Sequence, residues 1–121
     1  MRCATEFRPC GCSFTTDVPA VYGGKGENPT PGDMLAAAVA SCMLSMFGLT
    51  GKKHGFDTAG ISIAAGCEEK GSSITALNLA VSLPREYTEE QRKALAAAAE
   101  HCPVGSAIAE RVQKNISWHC C

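Results

Sequence analysis

From Ser73 to Leu83 apolar side chains recur at every second position, Leu77, Leu79, Val81 and Leu83 against Asn78, Ala80 and Ser82, which predicts a strand with one buried face. Thr58 to Cys67, with Ile61 and Ile63 on one side, predicts its neighbour, and Glu68 to Ser72 joins the two as a hairpin. The pattern upstream is different. Met34 to Gly51 carries no charge and is apolar or small on nearly every face, as expected of a helix that must be surrounded. Thr30 as N-cap, Pro31 at the first helical position and Asp33 three residues after the cap mark its start; Lys52, Lys53 and Gly55 mark its end. Ala4 to Arg8 and Ser13 to Val18 are candidates for two short strands across the turn-forming Pro9 to Cys12, followed by a loop from Tyr22 to Pro29. Thr88 to Gln91 is a capping box for a second helix running to about His101. Pro103 interrupts it and opens a short helix through Val104, Ile108 and Val112, and Asn115 to Cys120 forms a last strand with Ile116, Trp118 and Cys120 on one face, Trp118 as an ordinary core aromatic.

These elements sum to an α+β fold, one domain over residues 1–121, with antiparallel strands around a buried helix. So few strands can hardly enclose a helix of that character, so a second subunit is expected to supply the missing cover as a homodimer. The uncharged segment also meets the length of a membrane span. Its Ala, Gly, Ser and Thr content, the absence of interfacial Trp or Tyr and the amphipathic segments that follow favour a core helix, with no membrane partner.

Charge adds little: 11 Lys plus Arg against 12 Asp plus Glu, without a run of one sign, gives no footprint for nucleic acid or an anionic membrane. Eight cysteines add more. No apolar leader follows Met1, so a reducing cytoplasm is the expected compartment, where thiols are catalytic, metal-binding or inert. At a helix N-terminus, Cys102 has unpaired N–H groups to favour its thiolate; Cys42, in mid-helix among Val39, Ala40, Met43 and Met46, reads by itself as a small core residue. Cys10, Cys12, His119, Cys120 and Cys121 could in principle bind zinc, but their spacing fits no standard knuckle, and no metal or cofactor is expected.

The run Pro31-Gly32-Asp33-Met34-Leu35-Ala36-Ala37-Ala38-Val39-Ala40-Ser41-Cys42 resembles the helix of the OsmC/Ohr family, of osmotically inducible and organic hydroperoxide resistance proteins, in its OsmC-like branch. Cys102-Pro103-Val104-Gly105 resembles the second family motif, usually Cys-Pro-Val-Ser, and the likeness extends from about Thr16 through Asp17-Val18-Pro19 and Gly23-Gly24 to the C-terminus. The resemblance implies an OsmC/Ohr-like fold in an intertwined homodimer. It also implies a peroxidase for organic hydroperoxides in which Cys42 attacks, Cys102 resolves the sulfenic acid as a disulfide, and a dithiol such as a lipoylated protein reduces it. By the same resemblance Asp33 matches the family acid, although nine residues, about 13 Å of helix, separate it from Cys42. The family arginine, which comes from the N-terminal hairpin, falls to Arg8, with Arg2 as a substitute. The Ohr branch carries Glu where this chain has Gly32. The alternative from another class is an OsmC-fold binding or thiol-carrier protein without peroxidase turnover.

Overall fold

A helix begins at Pro31 because its exposed amides are met locally: Thr30 Oγ1 accepts the Asp33 N–H at 3.1 Å, and the Asp33 carboxylate accepts the Thr30 N–H at 3.1 Å. The computed structural model describes residues 1–121 and runs this helix, α1, over Pro31–His54, closed by Gly55 in the left-handed conformation. Before it lie β1 (Arg2–Phe7), β2 (Cys12–Asp17) and a 3-10 turn at Ala20–Tyr22; after it come β3 (Ser62–Lys70), β4 (Ser73–Leu83), α2 (Glu89–Glu100), α3 (Pro103–Ser106) and β5 (Gln113–Cys120).

The alternation in β4 holds. Leu77, Leu79, Val81 and Leu83 are at most 5% exposed while Asn78 and Ser82 face solvent. β3 pairs antiparallel with β4, with Ile63 opposite Val81 and Cys67 opposite Leu77, so both strands turn the same side toward α1. Thr88 and Gln91 cap α2 reciprocally, and Leu95, fully buried, joins α2 to one apolar cluster with Val39, Met43, Phe47 and the β4 leucines.

The architecture is α+β, and four details depart from the sequence-based expectation. The strands are not all antiparallel: β5 lies parallel to β4, Ala76 opposite Gln113 and Leu83 opposite Cys120. α2 and α3 return the chain to the starting end of β4, as a parallel pair requires. α3 stops at Ser106 instead of reaching Val112, because the Ala107 and Ile108 amides tighten onto the carbonyls three residues back. Trp118 is 39% exposed and packs on Phe47 at 5.8 Å between ring centroids, so it flanks the core and does not fill it. α1 is long and apolar enough to cross a membrane, yet here it packs against β3, β4, α2 and α3. Only one side is buried, through Ala36, Val39, Ala40, Met43, Phe47 and Gly51; Ala37, Ala38, Ser41, Ser45 and Leu49 remain exposed.

The β1–β2 hairpin packs almost entirely on itself. Its base is fixed by Asp17, whose carboxylate accepts the Val18 N–H at 2.9 Å and faces the N-terminal ammonium at 3.4 Å, while Arg2 bridges Glu27 at 2.7 Å. Burial works to raise the Asp17 carboxyl, but the Val18 and Lys25 amides and the ammonium outweigh it, so the group titrates below its ordinary range. A depressed folded value means that this contribution is complete above the unfolded carboxylate range and is lost as pH falls through the folded value. Followed by NMR, the Val18 amide shift should titrate with a midpoint below about 3.9; a midpoint at or above it would show that the clamp does not form.

Candidate active site

Cys42 projects from the middle of α1 and is half-buried. Cys102 caps α3 and is 1% exposed, brought under α1 by the bend at Pro103. Its sulfur accepts the Gly105 N–H at 3.2 Å, and its thiol points to the Val39 carbonyl oxygen at 3.9 Å. Val39 lies three residues before Cys42, on the same side of the helix, and the Cys42 thiol stands beside the Cys102 sulfur. The two sequence motifs thus converge on one sulfur pair, each member supplied by a different helix.

The chemistry of Cys102 corrects the expectation drawn from its local setting. Burial pushes its thiol above the ordinary range; the Gly105 N–H opposes this, and the neighbouring Cys42 adds to the rise. The amide at the helix start is present as the sequence implies, but the depth of the site outweighs it. Cys102 is thus the buried member of the pair, held toward its neutral thiol, and Cys42 is the more accessible one.

Gly105 permits this approach. A Cβ there would lie 3.3 Å from Cys102 Sγ and 3.7 Å from Val39 Cγ1, so a side chain at this position, where the family usually has serine, would crowd the Cys102 sulfur and make ordinary contact with Val39. Lys114 Nζ donates to the Gly105 carbonyl at 2.8 Å and ties the end of this turn to β5.

The other residues singled out in the sequence lie elsewhere. Asp33 is engaged in the α1 cap, and with Glu69 it adds to the burial that raises the Cys67 thiol. Cys67 belongs to the strand face that meets α1, and its sulfur lies where a Cβ on Gly32 would come within 2.6 Å. Cys67 follows Ile63 by four residues on the same β3 face, and that alternation is the sequence signal for its place beside Asp33. Arg8 is exposed and faces Glu6 at 3.6 Å; Arg2 is held by Glu27 and Asp17. Within the chain neither arginine is bonded to Cys42. His101 closes α2, Nδ1 at 2.8 Å from the Ala97 carbonyl, as a helix-terminal histidine should. Cys10 and Cys12 occupy the hairpin tip, Cys120 contacts the Arg85 carbonyl at 3.7 Å, and no group of three metal-ligating side chains is assembled.

Comparison with known proteins agrees with this architecture. A proposed osmotic stress induced and detoxification response protein from Psychrobacter arcticus is 25% identical, with a TM-score of 0.90 over 98% of this chain and 88% of that one. An organic hydroperoxide resistance protein OsmC from Legionella pneumophila, 19% identical, superposes with a TM-score of 0.72 over 98% of this chain and 95% of that one. The organic hydroperoxide resistance protein OhrB of Bacillus subtilis, 20% identical, gives 0.68 over 98% and 96%. At the last two identities the likeness is one of fold. No curated protein matches the sequence. The family model described as OsmC-like protein matches residues 24–117, spanning α1 with Cys42, the β3–β4 hairpin and the Cys102 turn, and the chain belongs to the OsmC-like family.

Proposed function

We propose that this protein is a thiol-dependent peroxidase for organic hydroperoxides, with Cys42 as the attacking and Cys102 as the resolving thiol. The observation that carries the proposal is the juxtaposition of a half-buried Cys42 and a buried Cys102 fixed by the Gly105 amide. The Cys42 thiolate attacks the distal peroxide oxygen; the O–O bond breaks, the alcohol leaves with a proton, and Cys42 becomes a sulfenic acid. Cys102 then attacks the Cys42 sulfur, water departs, and the disulfide that forms is reduced by an external dithiol such as a lipoylated protein. Ala, Met and Leu neighbours of Cys42 on α1 favour an alkyl-chain substrate. Eight free thiols suit the cytoplasm as its place of work.

The working form in this proposal is an intertwined homodimer. A two-stranded hairpin is marginally stable alone, and this one exposes Phe7, paired with Phe14 at 5.5 Å between ring centroids. The open side of α1 is lined by Ala37, Ser41 and Ser45, small enough for close approach by a second copy. The partner would cover both surfaces and receive Arg8 from the hairpin, with Asp33 as the acid of the family pattern. The alternative, an OsmC-fold binding or thiol-carrier protein, is favoured by one observation: no arginine is bonded to Cys42 within the chain.

Consumption of cumene hydroperoxide with dihydrolipoamide, compared with hydrogen peroxide, tests the proposal. The expected result is turnover that is faster on the organic substrate, from a species with twice the 12.6 kDa chain mass in light scattering. A dimer that consumes neither peroxide would leave the carrier function; a stable monomer would remove the route by which Arg8 reaches the site.

A further inference from the structure

β5 is an edge strand of its sheet, and the side it turns toward the helices is only partly covered. In the parallel ladder Leu79 stands opposite Ile116, Val81 opposite Trp118 and Leu83 opposite Cys120, so these β5 side chains point to the side on which β4 is buried. α2 packs chiefly on α1, and the residues it sets across from β5 are Ala96 and Ala99, too short to close the gap. What remains is a cavity of about 250 Å³, lined by the buried Leu83 and Leu95 and by Ala96, Trp118 and Cys120. Past Ala96 and Trp118 it continues along α2 as a trough toward Glu100 and Lys114.

The charges on this trough are unevenly placed. Arg92 is the one charged side chain on the cavity, and it takes part in none of the chain's ion pairs. At the far end Lys114 Nζ is engaged by the Gly105 carbonyl at 2.8 Å, and Glu100 presents a carboxylate. An anionic group is therefore drawn to the Arg92 end, where a guanidinium can receive a carboxylate through two parallel hydrogen bonds, and is repelled from the other. Between the ends the lining is apolar, so an aliphatic chain laid there leaves water favourably. Arg92, Ala96 and Ala99 follow one side of the helix and span about 10 Å, the length of a chain of about eight to ten carbons. Filled to the density of a protein interior, the cavity holds about a dozen non-hydrogen atoms, which agrees with that length.

We propose that the trough between α2 and β5 is a second binding site, for aliphatic carboxylates of about eight to ten carbons, with the carboxylate on Arg92 and the chain laid over Trp118. The site is separate from the surface assigned to a second subunit. The open side of α1, with Ala37, Ser41 and Ser45, adjoins Ile63 and Ala65 of β3, whereas the trough lies along β5 at the opposite edge of the sheet. Trp118 joins the trough to the core through its contact with Phe47, so a bound chain replaces water on the exposed part of the indole without entering the core.

The experiment titrates the full-length chain with sodium octanoate and, separately, with 1-octanol, and follows the emission of Trp118, the single tryptophan. Expected is a saturable change with octanoate bound several-fold more tightly than the alcohol. Arg92→Gln should abolish that preference and leave the affinity for 1-octanol unchanged, with peroxide consumption as in the parent; glutamine is a good helix former, so α2 is kept. Ala96→Phe, which fills the cavity, should weaken both ligands, and the Arg92→Gln comparison decides the matter if this variant does not fold. Cys42→Ser should bind octanoate as the parent does, which separates the trough from the peroxidase proposal; loss of binding there would put the ligand at the cysteine pair and overturn the assignment. Equal affinities for acid and alcohol in the parent, or a preference that survives Arg92→Gln, would also overturn it. So would a change in emission driven by protein concentration alone, with a mass above that of a dimer, since a second copy would then occupy the trough.

Discussion

Replacing Cys42 by serine is expected to reduce consumption of cumene hydroperoxide to the uncatalysed rate from the first turnover, whereas Cys102→Ser should allow one oxidation and then stop. Serine at position 102 keeps an oxygen to accept the Gly105 N–H and is a good N-cap, so the fold around α3 should persist. What is lost is the sulfur that closes the cycle. Without it the Cys42 sulfenic acid waits for external thiol and is exposed to further oxidation, which ends in sulfinic and sulfonic acids. Mass spectrometry after a small excess of peroxide should find these products on Cys42 in Cys102→Ser and a Cys42–Cys102 disulfide in the parent. A fast first turnover retained by Cys42→Ser, with the modification on Cys102, would reverse the two roles.

The largest expected effect on stability belongs to Phe47→Ala. Phe47 is 1% exposed on the core side of α1, and its ring packs against Trp118 at a tilt of 44°, so truncation removes a full aromatic from the layer between α1 and the sheet. Removal of a buried phenylalanine costs about 3–5 kcal/mol. Urea unfolding followed by fluorescence reports on it directly, because Trp118 is the single tryptophan of the chain and loses its ring neighbour in the variant. A loss below about 1 kcal/mol would place Phe47 outside the cooperative core.

Which parts of this structure could be read from the residues follows from how local their causes are. α1 was legible at both ends, since Thr30, Asp33 and Gly55 act within one turn of where they stand. β4 was legible because one of its faces is buried from Leu77 to Leu83. β5 was placed correctly along the chain but its direction was not: Gln113 to Cys120 is almost wholly exposed, and only its pairing with a strand begun 40 residues earlier, Gln113 beside Ala76 and so on along the ladder, fixes the orientation. The same distinction applies to the site. The two cysteine motifs identify themselves, yet the state of Cys102 depends on how much of the body covers it, and that is a property of α1, α3 and the sheet together. Asp33 likewise carries a clear cap signal, whereas its neighbourhood with Cys67 comes from the β3 face laid against the helix start.

The contact between Cys102 and the Val39 carbonyl joins residues 63 apart in the sequence. On a ribosome adding roughly 5–20 residues per second, the segment around Cys42 emerges some 3–12 s before the one that carries its companion. During that interval the nascent chain has the first thiol without the second, and the couple comes into being only when the later half folds back onto α1. Assembly of the cysteine pair is thus tied to completion of the polypeptide's tertiary structure, and a fragment ending before Cys102 would hold an unescorted sulfur.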